Sequence, residues 1–186
     1  MAVHGDQVWV AAGTYFPTPT ALRGASFVIV DGVSVYGGFA GGETALWQRD
    51  PSAHETILSG DLGHDDGIGN VSDNSLHVVK IAGSNQDSLL EGFTVTGGNA
   101  NGAPSLDTAG GAIHAQSGAA QGEFLVRSCI LRGNRCTQEG GALLARGIGR
   151  VEDCRFEDNV AGVRGRFCSA PTGGTTNVSS AITMYW

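Results

Sequence analysis

Apolar positions along this chain come in short runs rather than in long stretches or at helical spacing. Residues 7–11 (Gln7, Val8, Trp9, Val10, Ala11), 26–30 (Ser26, Phe27, Val28, Ile29, Val30), 33–36, 56–59 and 77–81 each read as a β-strand. Between them stand Ala12-Gly13, Asp31-Gly32, Gly37-Gly38, Gly41-Gly42 and Gly60-Asp61, where the chain must turn and glycine makes a positive φ inexpensive. No apolar spacing of three and four residues fills the intervals, so the pattern predicts strands and loops without helices. Residues 43–55 and 60–74 are polar enough to read as loops that leave the strand framework.

The second half repeats itself. Gly110-Gly111-Ala112-Ile113 returns later in the chain as Gly140-Gly141-Ala142-Leu143. Each is followed by a run ending in asparagine, 126–134 and 151–159, and the two runs are equal in length with Cys129 and Cys154 at matching places. A looser copy spans 90–99, with Phe93 where the cysteine stands and one additional glycine before Asn99. So short a period leaves no room for a strand, a crossover helix and its loops. The economical solution is one circuit per repeat, with equivalent strands stacked in parallel about 4.8 Å apart around an apolar interior. Val126, Cys129 and Leu131, like Val151, Cys154 and Phe156, are then expected to face inward in ladders. Asn99, Asn134 and Asn159 are expected at one corner, where amides can hydrogen-bond from circuit to circuit. A β-sandwich is the alternative arrangement of many short strands, but the repeats run head to tail and hairpin turns are scarce.

Composition narrows the functional classes. Among 186 residues there are 30 glycines, 41% hydrophobic residues and a net charge of −7, and Lys80 is the one lysine. Collagen and intrinsic disorder are excluded by this apolar content and by the absence of a three-residue glycine period. The acidic balance gives no reason to approach a nucleic-acid phosphate backbone. No apolar run approaches the ~20 residues of a membrane-spanning helix, so no membrane-spanning segment is expected. The amino terminus lacks the basic and apolar regions of a secretory signal, so the chain is not expected to encode its own export. Cys129, Cys136, Cys154 and Cys168 form no CxxC pair, and either two disulfides or free buried thiols fit their even number.

The pair Gly110-Gly111-Ala112-Ile113 and Gly140-Gly141-Ala142-Leu143, with Phe156-Glu157-Asp158-Asn159 as FxxN and Leu131-Arg132-Gly133-Asn134 as its degenerate partner, resembles the polymorphic outer membrane protein repeat. Upstream, residues 6–15, 35–39 with Arg49-Asp50-Pro51, 57–61, 75–79 and 91–98 resemble the first coils of secreted bacterial right-handed parallel β-helix proteins. The likeness covers residues 5–161. It implies an all-β, pectin-lyase-like right-handed parallel β-helix of about seven coils over residues 1–161, part of a longer array. Residues 162–186 match no repeat and are expected to be a cap or disordered. The resemblance further implies an extracellular or outer-membrane surface location and adhesion to host or cell-surface glycans or proteins.

Because pectin-lyase-like folds also carry polysaccharide lyases and hydrolases, carboxylate pairs have to be weighed. A glycosidase needs two of them converging on one face. The densest acidic stretch is Asp61, Asp65, Asp66 and Asp73, and only the Asp65-Asp66 dipeptide resembles the polygalacturonase site. A lyase or hydrolase acting on acidic polysaccharide is therefore the alternative, and a non-enzymatic scaffold is the leading expectation. The same four aspartates, with Asn70, offer hard oxygen ligands on a glycine-rich loop, so calcium is the one cofactor considered; Gly63 and Ser72 depart from an EF-hand. His77 and His114 lie in strand-like runs and are expected to be structural.

Overall fold

The computed structural model describes residues 2–83, 87–103, 105–117, 122–146, 148–162, 175–178 and 182–184. Extended structure dominates, as the short alternating runs demand. In a first sheet, β1 (Gln7–Ala11), β4 (Ser34–Phe39), β7 (Ser88–Glu91), β11 (Phe124–Arg127) and β15 (Gly149–Glu152) lie side by side, all parallel. A second aligns β2 (Gly13–Tyr15), β5 (Thr56–Ser59), β8 (Thr94–Thr96), β12 (Ile130–Arg132) and β16 (Cys154–Glu157), again parallel. A third holds β3 (Phe27–Val30), β6 (Val79–Gly83), β10 (Ile113–Ser117) and β14 (Leu143–Arg146). Two-residue strands β9 (Asn99–Ala100), β13 (Arg135–Cys136) and β17 (Val160–Ala161) make a small fourth sheet. Within the carboxy-terminal tail, β18 (Thr175–Val178) and β19 (Ile182–Met184) pair antiparallel with β16 and β15.

Strand order shows how the chain travels. It visits the first, second and third sheets in a fixed cycle, and from β9 onward it touches the fourth sheet on the way from second to third. Within the first sheet Gln7 pairs with Ser34, Ser34 with Leu89, Ser88 with Phe124 and Phe124 with Gly149. The steps from Ser34 to Leu89 and from Ser88 to Phe124 are longer than the first and the last. Five parallel passes through that sheet are described, against an expectation of about seven. The two lengthened steps carry loops, and the described residues within them add no further strand to this sheet.

Registered columns of side chains build the core. Val35, Leu90, Val126 and Val151 align across the first sheet, and Leu58, Val95, Leu131 and Phe156 across the second. In the third, Val79, Ile113 and Leu143 share a column beside Ile81 and Ala115. Members of all three sheets belong to one buried cluster. Each fully buried Leu or Phe contributes roughly 1.5–3 kcal/mol of transfer free energy, so the repeated columns are the main source of stability. Gly149 keeps room for the buried Phe124, its registered neighbour in the first sheet, since a Cβ there would meet the Phe124 ring at 2.1 Å.

Sharp corners explain the glycine content and the repeated motif. Gly92, Ser128 and Asp153 are equivalent residues just before the second sheet, with φ of 80°, 50° and 50°. Gly110 and Gly140 open the two Gly-Gly-Ala motifs at φ 72° and 66°, and the glycines after them are needed for close approach. A Cβ at Gly111 would lie 2.3 Å from the Arg135 carbonyl oxygen, and one at Gly141 would lie 2.5 Å from that of Val160. The motif thus combines one left-handed residue with one contact that only a bare backbone can make.

Candidate functional site

Loop 60–75 leaves the end of β5 and is closed at its base by the Ser75 N–H, which donates to the Gly60 carbonyl at 2.8 Å. Its aspartates organise the loop from within. Asp61 Oδ1 accepts from the Asp65 N–H at 3.0 Å and its Oδ2 from the Asp66 N–H at 3.4 Å, which starts a 3-10 turn at Asp66–Ile68. Asn70 Nδ2 donates to Asp65 Oδ2 at 2.7 Å, and Asn74 Nδ2 donates to the two Asp66 oxygens at 3.0 and 3.2 Å. Burial pushes the Asp66 carboxyl above its ordinary value; the Asn74 amide opposes this, and the charges of Asp61, Asp73 and Asp65 add to the rise.

Asp61, Asp65, Asp66 and Asp73 are therefore brought together in one loop. Asp65 Oδ1 and Asp73 Oδ1 are buried there without hydrogen-bond partners among the described residues. Among the described residues, however, no group of three or more His, Cys, Asp or Glu is arranged to hold a metal ion. Most of the carboxylate oxygens face the loop's own N–H groups.

The asparagine corner differs from the sequence reading at one position. Asn134 and Asn159 are stacked: Asn159 Oδ1 accepts from both the backbone N–H and the side-chain Nδ2 of Asn134, each at 3.0 Å. Asn134 Oδ1 in turn accepts from the Gly98 N–H at 2.9 Å. Asn99 is not part of this stack. It pairs in register with Arg135 and so sits one residue later, and its Nδ2 donates to the Val71 carbonyl at 2.6 Å. The additional glycine is the cause: Gly98 holds the ladder position, where a Cβ would lie 1.9 Å from the Gly111 carbonyl oxygen. No asparagine fits there.

Cys129 and Cys154 follow Phe93 at matching places beside the second sheet, at 1% and 2% exposure. The Cys129 thiol donates to the Arg127 and Leu90 carbonyls, and Cys154 to those of Glu152 and Val126. Burial, reinforced by the neighbouring Cys154 sulfur, holds the Cys129 thiol well above its usual pKa, so it is a packing residue rather than a nucleophile. Among the described residues Cys129, Cys136 and Cys154 form no disulfide, and Cys168 lies outside them.

Two clusters escape a reading of spacing. Glu91, 7% exposed, joins two arginines: it pairs with Arg49 through Oε1 and with Arg127 through Oε2, the latter at 2.5 and 2.9 Å. Arg49 also donates to the Gly37 carbonyl at 3.1 Å and stands over the Tyr36 ring, which fastens loop 43–55 to the first sheet. The second is the His77–His114 pair, with ring centroids 4.9 Å apart. Both assemble residues from different circuits, and no linear motif marks them.

At the surface, Trp47 and Ile68 stand on loops 43–55 and 60–75 at 83% and 87% exposure. A groove of about 370 Å³ is lined by Pro51, Ser52 and Glu55 of the first of these loops and by Thr94, Ser128 and Ile130 at the second sheet. Glu55 is the single carboxylate among the residues that line it, and it accepts from the Thr94 hydroxyl at 2.7 Å. No helix is long and apolar enough to cross a membrane among the described residues. No protein-family model, no curated protein and no solved structure matches this chain.

Proposed function

We propose that the chain is a right-handed parallel β-helical scaffold of a secreted or surface-exposed bacterial protein, and that its work is to display loops for adhesion to surface glycans or proteins. One observation carries this reading. The registered core columns continue unbroken although the step from Ser34 to Leu89 is more than twice as long as that from Phe124 to Gly149, so extra chain is placed outside the core as loops. A framework that absorbs insertions in this way suits display, because loop content can change without disturbing the columns. The exposed Trp47 and Ile68 at loop positions are the contact residues this reading favours. The order of the repeat-like segments in the sequence supports the bacterial surface setting.

The test is binding of the full chain to arrayed host and bacterial surface glycans and to intact cells, beside a Trp47→Ala variant. Retained folding with binding lost or weakened at least tenfold in Trp47→Ala is the expected result. Turnover of uronic-acid polymers that disappears in Asp65→Asn or Asp66→Asn would replace the scaffold reading with a carbohydrate-active one.

A further inference from the structure

His77 and His114 lie at 1% and 8% exposure beside the third sheet, where Lys80 of β6, His114 of β10 and Leu144 of β14 form one registered column. The turn Ser105–Thr108 and the Gly110 that follows it meet His77, through Asp107 and the Gly110 carbonyl. His77 Nδ1 is 2.9 Å from the Gly110 carbonyl oxygen. A carbonyl only accepts, so the neutral ring carries its proton on Nδ1 and leaves a lone pair on Nε2. That Nε2 has Asp107 Oδ1 at 3.5 Å, and among the described residues neither it nor the buried Nε2 of His114 has a hydrogen-bond partner. The charged groups that face the pair are Asp107 from the turn, Lys80 from β6 and Arg146 from β14.

We propose that this histidine pair makes the Ser105–Thr108 turn an acid-released clasp: closed over two neutral rings near neutral pH, and loosened when they take up protons. The electrostatics are one-sided. One proton on His77 Nε2 is accommodated by Asp107, but a second, on His114, sets two imidazolium rings 4.9 Å apart beside Lys80, with Asp107 the carboxylate that faces them among the described residues. Opening the turn returns both rings to water and removes that cost.

Burial, then the charges of His77, Lys80 and Arg146, lower the His114 pKa from 6.5 to about 4. Protons are therefore bound by the opened form first, and closure weakens as pH falls from 6.5 towards 4. The linkage amounts to roughly a 30-fold rise in the opening equilibrium between pH 7.5 and pH 5.

Amide hydrogen exchange of the full chain, corrected for intrinsic rates, reads this opening directly. Between pH 7.5 and 5 the segment 105–113 is expected to lose protection by about 30-fold while 124–131 keeps its own. In His114→Leu, which places at β10 the residue that β14 carries at the paired position, the pH dependence is expected to fall below threefold. Unchanged protection of 105–113 in the native chain, or an equal pH response in His114→Leu, overturns the proposal. If that variant does not fold, imidazole NMR of the native chain decides: titration of His114 near 4 supports the clasp, and titration near 6.5 overturns it.

Discussion

Replacing Asn134 with alanine removes the acceptor of a buried backbone donor. Gly98 has no side chain and lies in the interior, and Asn134 Oδ1 at 2.9 Å is the partner of its N–H among the described residues. The same amide donates to the Val95 and Arg132 carbonyls and to Asn159 Oδ1, at 2.9 to 3.0 Å. Leaving one buried donor unsatisfied costs about 1–3 kcal/mol, and the emptied amide volume at a residue of 0% exposure adds to it. Asn134→Ala is therefore expected to lower the unfolding free energy by about 2–4 kcal/mol. Asn99→Ala loses one bond, to a loop carbonyl, and is expected to cost about 1 kcal/mol. Asn134→Asp keeps the acceptor for Gly98 but turns a carboxylate oxygen towards two carbonyls and the Asn159 oxygen, so it is expected to be at least as harmful as alanine. Urea unfolding followed by far-ultraviolet circular dichroism, with m-values compared, measures all three. Equal costs for Asn134→Ala and Asn99→Ala, or an Asn134→Asp variant as stable as the native chain, would refute the ladder.

Three other perturbations have signs fixed by the structure. Ser128→Gly and Asp153→Gly keep the left-handed backbone, φ of 50°, and remove the Cβ that strains it, and each is expected to stabilise by up to about 1 kcal/mol in the same unfolding assay. Glu91→Ala strands Arg49 and Arg127 around an emptied site; a loss of about 2–4 kcal/mol is expected, with Arg127 partly relieved by its 38% exposure. Asp66→Asn relieves a carboxylate whose pKa is raised in the folded chain. The unfolded chain releases that proton first, so the native loop loses stability as pH rises above the ordinary carboxylate value. A higher unfolding temperature for Asp66→Asn at pH 7, shrinking as the pH is lowered towards 3.8, is the expected outcome.

Strand positions were legible because alternation is local. Residues 7–11 and 56–59 are strands over their full predicted lengths, since glycine and polar neighbours bound them on both sides. The Gly-Gly-Ala motifs and the Asn134–Asn159 stack were legible because the last step, from Phe124 to Gly149, is the shortest in the first sheet and keeps equivalent residues aligned. Where insertions break the count, spacing misleads: the doubled glycine at 97–98 moved Asn99 out of the ladder, and five passes are described where spacing predicts about seven coils. The strand Gly13–Tyr15 was hidden by its own glycine, and it forms by pairing with β5 rather than by propensity. Glu91 with its two arginines, and His77 with His114, unite residues many positions apart, so only the folded chain reveals them. The four aspartates lie close in sequence and share one loop, but their orientation depends on the turn that Asp61 starts, which spacing does not reveal.

The central claim is that successive passes stack in parallel, with Leu90, Val126 and Val151 in one column and Val95, Leu131 and Phe156 in another. Nuclear Overhauser contacts between backbone protons of these residues test it most directly. Parallel registry predicts contacts between the α-proton of one strand and amide protons of the next, first between β7 and β11 and then between β11 and β15, with the same pattern from β8 through β12 to β16. Strong contacts between opposed α-protons of β7, β11 and β15 would mark antiparallel pairing and contradict the account.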